Sequence, residues 1–141
     1  MNSSKNSRLR SRPGQGPTPL AKILVVESNP AAEMLALVLT TAGYQAIEMA
    51  SGQRALTPDL VVVGPSLAYG HLAQLCRALR ARTDAPILVL SSDIDTEAVE
   101  PVVAAGASEC LLAPISASDL LTHIAALLRA AHGRESIAIA A

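Results

Sequence analysis

The chain has 141 residues, half of them apolar, and a net charge of −1. This length suits one domain with a substantial core, and the near-zero charge gives no general attraction for nucleic acid or acidic substrates. No stretch approaches the roughly 18 apolar residues of a membrane-spanning helix, and the amino terminus lacks the apolar middle of a secretory signal. We therefore expect a cytoplasmic protein with no membrane span.

The first 21 residues form a basic arm rich in Ser, Pro, Gly and Arg. The arm has four basic residues and no acid; by subtraction from the chain's 11 basic and 12 acidic residues, the remainder has 7 and 12, a net charge of −5. Its few apolar residues cannot offset the entropy cost of ordering it. We predict a disordered, solvated arm over residues 1–21, with weak contact to nucleic acid or to a membrane surface as the alternative.

From Lys22 onward, short apolar runs alternate with stretches of helical periodicity. The predicted strands are KILVVE (22–27), YQAIEMA (44–50), DLVVV (59–63), PILVLS (86–91) and ECLLA (109–113). The predicted helices run from Pro30 to Gly43, over 66–82, up to Gly106, and over 116–133. Apolar strands that alternate with helices indicate a parallel sheet covered on both faces, so the predicted fold class is a doubly wound α/β domain.

Two patterns predict where helices begin and end. Ser116, followed three residues later by Asp119, fits a capping box at the start of the last helix, and Gly133 fits its C-terminal stop. Pro101 has no N–H and suits only a first helical turn, so the helix that contains it should begin no earlier than about Ala98.

The link between strands two and three, SGQRALTP (51–58), is short for a parallel crossover, which usually needs at least about 10 to 12 residues. We therefore predict that helix two of this topology is shortened or missing. Apolar surface around strands one and three should then be less covered than usual. Such a surface is either a partner-binding patch or is hidden by neighbouring helices or by the arm.

The residues that commonly bind metals or cofactors show no suitable spacing. Cys76 and Cys110 are isolated from each other in sequence, which indicates reduced core cysteines, and no two of the three histidines have ligand spacing. No glycine-rich phosphate-binding pattern follows any strand. We therefore expect no metal and no cofactor.

Taken together, the ordered motifs KILVVESNP, PDLVVVG, CRALRARTDAPILVLSS, AAGASECLLAP and DLLTHIAALLRA resemble the receiver (CheY-like) domain of bacterial two-component response regulators. The likeness runs from about Lys22 to Ala131. It implies a flavodoxin-like sheet of five parallel strands in the order 2-1-3-4-5.

In that family an aspartate after strand three accepts a phosphoryl group from a histidine kinase. Acidic residues after strand one hold Mg²⁺, a Ser or Thr follows strand four, and a Lys follows strand five. The matching positions in this chain are Glu27, Ser28, Gly64, Ser91 and Ala113. Only Ser91 fits outright, because the chain has no carboxylate nucleophile at Gly64, no charge at Ala113 and no acidic metal ligand at Ser28. The resemblance therefore implies a pseudo-receiver that is not an enzyme.

Nearby acids offer few substitutes for the missing carboxylate. Asp59 lies at the opposite end of strand three and cannot replace Gly64. Asp93 could form a loose cation site with Glu27, but capping of the next helix by Asp93 or Asp95 is the favoured interpretation. Gly64 itself either admits a ligand close to the backbone or makes a tight turn with Pro65.

The sequence thus predicts a basic arm (1–21), a pseudo-receiver domain (22–132) and a short tail (133–141). The leading functional hypothesis is a phosphorylation-independent signalling module that acts through a protein partner or as a homodimer. The alternative is a sensor that binds a small molecule or an ion in the degenerate pocket. The resemblance places the interaction surface on the helix after strand four, strand five and the last helix, with exposed positions among Glu97, Glu100, Glu109, His123 and Arg129.

Overall fold

The computed structural model describes residues 18–48, 57–65, 69–92 and 96–140. Five parallel strands lie in the order β2-β1-β3-β4-β5, which confirms the predicted doubly wound α/β class and strand order. The strands are β1 (Lys22–Val26), β2 (Gln45–Glu48), β3 (Leu60–Val63), β4 (Ile87–Ser91) and β5 (Glu109–Leu112). The described helices are α1 (Ala31–Thr41), α2 (Tyr69–Arg80), α3 (Thr96–Ala104) and α4 (Ala117–Ala140).

The central strands are buried on both faces, and alternate residues contribute to two separate cores. One core joins one face of the sheet to α1 and α4; its buried members include Ile23, Val25, Leu60, Val62, Leu39 and Ile124. The other core joins the opposite face to α2 and α3; its buried members include Leu24, Val61, Val63, Leu72, Cys76 and Val102. This two-sided burial explains why β3 and β4 are continuous apolar runs in the sequence.

Two helices end at a glycine with positive φ. Gly43 after α1 has φ 100° and Gly106 after α3 has φ 125°. After α1, the N–H of Tyr44 donates to the carbonyl of Leu39 and the N–H of Gly43 to that of Thr40, at 3.0 Å each. This pair of bonds is a Schellman motif, which needs a left-handed residue and therefore favours glycine. The predicted stop at Gly43 is confirmed.

Arg80, at the end of α2, joins three backbone segments. Its guanidinium donates to the carbonyls of Thr83 (3.0 Å), Ala85 (2.7 Å) and Gly106 (2.8 Å). The side chain also packs beside Gly106, where an added Cβ would stand 3.1 Å from the Arg80 Nε atom. One half-buried side chain thus links the end of α2, the start of β4 and the turn after α3.

Several predicted boundaries need correction. The helix with Pro101 begins at Thr96, before the predicted Ala98, so the proline lies inside the helix and not in its first turn. The last helix does not stop at Gly133 but continues to Ala140, so residues 133–140 are helical and not a tail. A single glycine lowers helix propensity by about 1 kcal/mol, which neighbouring residues can offset.

The predicted arm is also shorter at its carboxyl end. The N–H of Leu20 donates to the carbonyl of Gly43, and the carbonyl of Ala21 accepts from the N–H of Gln45, both at 2.9 Å. Ala21 is buried in the core. Leu20 and Ala21 therefore belong to the folded domain, while residues 1–17 lie outside the described residues.

The predicted loss of helix two concerns residues 51–58, of which 51–56 lie outside the described residues. Of the two outcomes left open for the apolar surface around β1 and β3, the described positions show the covered one. Leu24 is 3% exposed, and both Val61 and Val63 are 0% exposed. Among the described residues, the exposed large apolar side chains lie elsewhere, on Leu20, Met34, Leu37, Val103 and Leu112.

Within the described part of the chain, every helix is too short or too polar to cross a membrane.

Candidate functional site

The ends of four neighbouring strands bring the five predicted site residues to one edge of the sheet. Val26, Val63 and Val89 lie in register across β1, β3 and β4. Beyond them, the N–H of Gly64 donates to the carbonyl of Val26 at 2.9 Å, and the N–H of Ala113 donates to that of Ser91 at 2.7 Å. The ladder thus continues past the strands and places these positions side by side.

Gly64 is buried, and the Glu27 side chain uses the space that a side chain at position 64 would take. Its φ is not among the positive values found at Gly43 and Gly106. A Cβ added to Gly64 would overlap the Glu27 carboxylate and would stand 2.8 Å from the Glu27 Cγ atom, closer than real Cβ contacts occur. The open space predicted beside Gly64 therefore holds the chain's own glutamate.

Glu27 is half-buried, and its side chain lies beside Gly64 at the end of the neighbouring strand. Its Oε1 atom accepts a hydrogen bond from the N–H of Ser28 at 2.9 Å. Ser28 is exposed, as expected of a loop residue after β1. Sequence reasoning placed Glu27 at this edge but missed the orientation of its side chain, because no sequence pattern specifies a rotamer.

The other two positions differ from each other in chemistry. Ser91 is 7% exposed and ends β4 with a buried hydroxyl-bearing side chain. Ala113, after β5, is half-buried and has no charge to offer an anion. The edge therefore presents one hydroxyl and one carboxylate from the predicted set, and no cation.

Asp59 lies at the opposite end of β3, as predicted. Its N–H donates to the carbonyl of Lys22, and its Oδ2 atom accepts from the N–H of Lys22, both at 2.8 Å. The carboxylate therefore fastens the starts of β1 and β3 and cannot reach Gly64. Asp93 and Asp95 lie outside the described residues, so the loose cation site and the helix cap stay predictions.

No cluster of three or more His, Cys, Asp or Glu side chains that could hold a metal ion occurs among the described residues.

Two residues of the predicted interaction surface pair with each other. The His123 Nδ1 atom on α4 lies 2.8 Å from the Glu109 Oε2 atom on β5, and both side chains are about one-third exposed. Glu100 and Arg129 are exposed, as predicted, whereas the side chain of Glu97 lies outside what the structure describes. A pair so exposed stabilises the fold little, by about 0–1 kcal/mol.

Two apolar side chains on the same elements were missed. Val103 on α3 is 48% exposed, and Leu112 on β5 is 56% exposed. Cys110 packs into the core that lies against α2 and α3, and Leu112 is two residues further along the strand, so it points to the same side of the sheet. Alternation along the strand would place Leu112 with the core residue Cys110, so the sequence could not have identified its exposure.

The two cysteines are free thiols, as predicted, and Cys76 is fully buried. Burial raises the pKa of the Cys76 thiol above its usual value; the Cys110 thiol adds to the rise and Arg80 opposes it. Burial and then the Glu109 carboxylate raise the pKa of Cys110. Both thiols therefore stay protonated at neutral pH and are poor nucleophiles.

The sheet order and the placement of these positions at the carboxyl ends of the strands define the class of the protein. Sequence relatives and solved structures support a receiver domain of the CheY-like, response-regulator type. No protein-family model matches the chain.

Among curated proteins, the chain is 34% identical over 115 residues to the DNA-binding response regulator MtrA of Mycolicibacterium smegmatis. That match covers 77% of this chain and 50% of the relative, so the chain spans about half the length of the curated relatives it matches.

Solved structures show the same fold. A response regulator from Thermotoga maritima shares 25% identity with a TM-score of 0.66, over 80% of this chain and 99% of that one. The signal receiver domain of a histidine kinase from Syntrophus aciditrophicus shares 27% identity with a TM-score of 0.62, over 78% and 91% of the two chains.

Proposed function

We propose that this chain is a phosphorylation-independent, receiver-like signalling module of the cytoplasm that acts through protein–protein interaction or self-association. The observation that carries the proposal is the set of residue types at the carboxyl ends of the strands around Gly64. Transfer of a phosphoryl group to a receiver needs a carboxylate nucleophile, a divalent cation and a positive charge on the phosphoryl oxygens. Gly64, Ser28 and Ala113 supply none of these, and the module is therefore not an enzyme.

Small-molecule or ion sensing at the same edge is the alternative, and no observation favours it. The space beside Gly64 that would admit a ligand is filled by the Glu27 carboxylate. Binding to DNA, which the name of the MtrA relatives includes, is not part of the proposal, because the chain matches only about half of their length.

Incubation of the full chain with Mg²⁺ and acetyl phosphate tests the proposal directly. We expect intact mass spectrometry to show no added phosphoryl group, because no carboxylate stands at position 64. The receiver domain of a competent response regulator, treated in parallel, confirms that the donor is active. A stoichiometric gain of one phosphoryl group that survives Glu27→Gln would contradict the proposal outright.

The surface proposed for interaction is formed by α3, β5 and α4. It combines exposed apolar side chains, Val103 and Leu112, with charged ones, Glu100 and Arg129. Protein interfaces combine apolar and charged side chains in this way. The proposal assigns binding energy to Leu112 and solubility or specificity to the charged residues.

Replacement of Leu112 with glutamate is expected to weaken self-association or partner binding at least tenfold, which is about 1.4 kcal/mol, because a carboxylate would be buried without a partner. The free energy of unfolding should change by less than about 0.5 kcal/mol, since the site is a surface position. Sedimentation velocity measures self-association, and pull-down with the tagged full chain measures partner binding.

The matched control is Leu37→Glu, which changes an apolar side chain that is 68% exposed on α1. This variant should bind like the wild type. Equal loss of binding in both variants would show that any added surface charge has the same effect. Loss of binding in Leu37→Glu alone would indicate that the interface lies on α1.

A further inference from the structure

The Glu27 side chain lies where the side chain of a strand-three acceptor would begin. Because β1 and β3 are adjacent and parallel, and Val26 is in register with Val63, Glu27 and Gly64 are the next neighbours across the ladder. The overlap of an added Gly64 Cβ with the Glu27 carboxylate places that carboxylate directly over the glycine. One position in space therefore belongs either to a side chain at 64 or to Glu27.

A hydrogen bond holds the glutamate in this orientation. The Ser28 N–H donates to Glu27 Oε1 at 2.9 Å, which gives the carboxylate a backbone partner at the strand end. Hydrogen bonds to an ionised acceptor are stronger than those between neutral groups. A half-buried Glu27 with such a partner loses both the bond and its packing when it rotates outward.

We infer that Glu27 is an internal occupant of the acceptor position, and that any side chain at position 64 would have to displace it. The inference rests on the proposed function, since it concerns the same inactive site. It adds a second cause of inactivity: the Glu27 carboxylate fills the site, which also lacks the reactive groups that phosphotransfer needs. A small phosphoryl donor, which is itself anionic, meets an anion already in place at this edge.

The contact between Glu27 and Gly64 predicts that the effects of substitutions at these two positions on stability depend on each other. In the wild type, Gly64→Ala should lower Tm by about 2–6 °C, because the Glu27 carboxylate must leave its position and lose its hydrogen bond from the Ser28 N–H. In a Glu27→Ala background, the same change should lower Tm by less than about 2 °C, since the group it would overlap is gone. Differential scanning calorimetry of the four full-length proteins measures this coupling.

The matched control uses Glu48→Ala, which removes an exposed glutamate from the edge strand β2. Gly64→Ala should lower Tm as much in the Glu48→Ala background as in the wild type. If it also lowers Tm by the same amount in the Glu27→Ala background, Glu27 does not occupy the space beside Gly64 and the inference fails. Because this readout is stability alone, its failure leaves the proposal on phosphotransfer to be judged by the acetyl phosphate test.

A second measurement applies if Gly64→Ala alone does not fold. In ¹H–¹⁵N spectra, Glu27→Ala should shift the amide signal of Gly64 on the neighbouring strand as strongly as that of Ser28. The amide of Asp59, at the far end of β3, should not move. An unshifted Gly64 amide would mean that the glutamate points away from the glycine and would overturn the inference.

Discussion

Replacement of Arg80 with methionine is expected to lower the free energy of unfolding by about 2–4 kcal/mol. Methionine keeps an apolar stem of similar length but removes every donor. The carbonyls of Thr83, Ala85 and Gly106 then lose their charged partner, and part-buried carbonyls without partners are destabilising. Urea unfolding followed by circular dichroism measures the change.

Two variants separate this effect from general loss of charge. Arg77→Met removes an exposed arginine from the same helix and should change the free energy of unfolding by less than about 0.5 kcal/mol. Arg80→Lys should restore less than half of the loss, because one ammonium cannot match a planar guanidinium that reaches three carbonyls. If Arg80→Met proves as mild as Arg77→Met, the link between α2, β4 and the turn at Gly106 is not a stabilising one.

Restoration of the missing chemistry should convert the chain into a phosphoacceptor. The variant Ser28→Asp, Gly64→Asp, Ala113→Lys supplies a metal ligand, a nucleophile and a cation at the three positions where the resemblance requires them. We expect it to gain one phosphoryl group from acetyl phosphate, where the wild type gains none. The gain should require Mg²⁺, because the cation attracts both the new carboxylate at position 28 and Glu27, which must leave the space beside residue 64.

The matched control replaces the new nucleophile alone: Ser28→Asp, Gly64→Asn, Ala113→Lys has nearly the same shape and no carboxylate at 64. It should stay unmodified under the same conditions. Phosphorylation of both variants would locate the acceptor elsewhere in the chain. A folded restored variant that stays unmodified would show that more than these three groups has been lost from the site.

Much of the fold could be predicted because its main determinants are local and periodic. The apolar runs of β3 and β4, the Gly43 stop and the Ser116 start each follow from short-range rules. In the structure, the Ser116 Oγ atom accepts from the Asp119 N–H at 3.0 Å, which confirms the predicted N-cap. Short-range rules could not predict two helices that include residues of low helix propensity: α3 contains Pro101, and α4 continues through Gly133.

In the candidate site, too, the sequence determines some features and the tertiary structure determines others. The absence of a nucleophile at Gly64 and of a cation at Ala113 is a property of residue type, so the sequence alone determines it once the strands are aligned. The occupation of the Gly64 space by Glu27 is a matter of rotamer and of a neighbouring strand. No spacing along the chain encodes it.

The sequence by itself therefore determined most of the strand and helix pattern, the two-sided burial of the sheet and the residue types at positions 28, 64 and 113, because each depends on residue type and local periodicity. Only the tertiary structure decided the position of the Glu27 carboxylate, the His123–Glu109 pair and the three-way hydrogen bonding of Arg80. The contacts of Glu27 with Gly64, of His123 with Glu109 and of Arg80 with Gly106 join residues that are distant along the chain. They exist because strand register and helix packing bring particular side chains within bonding distance, which residue order does not express.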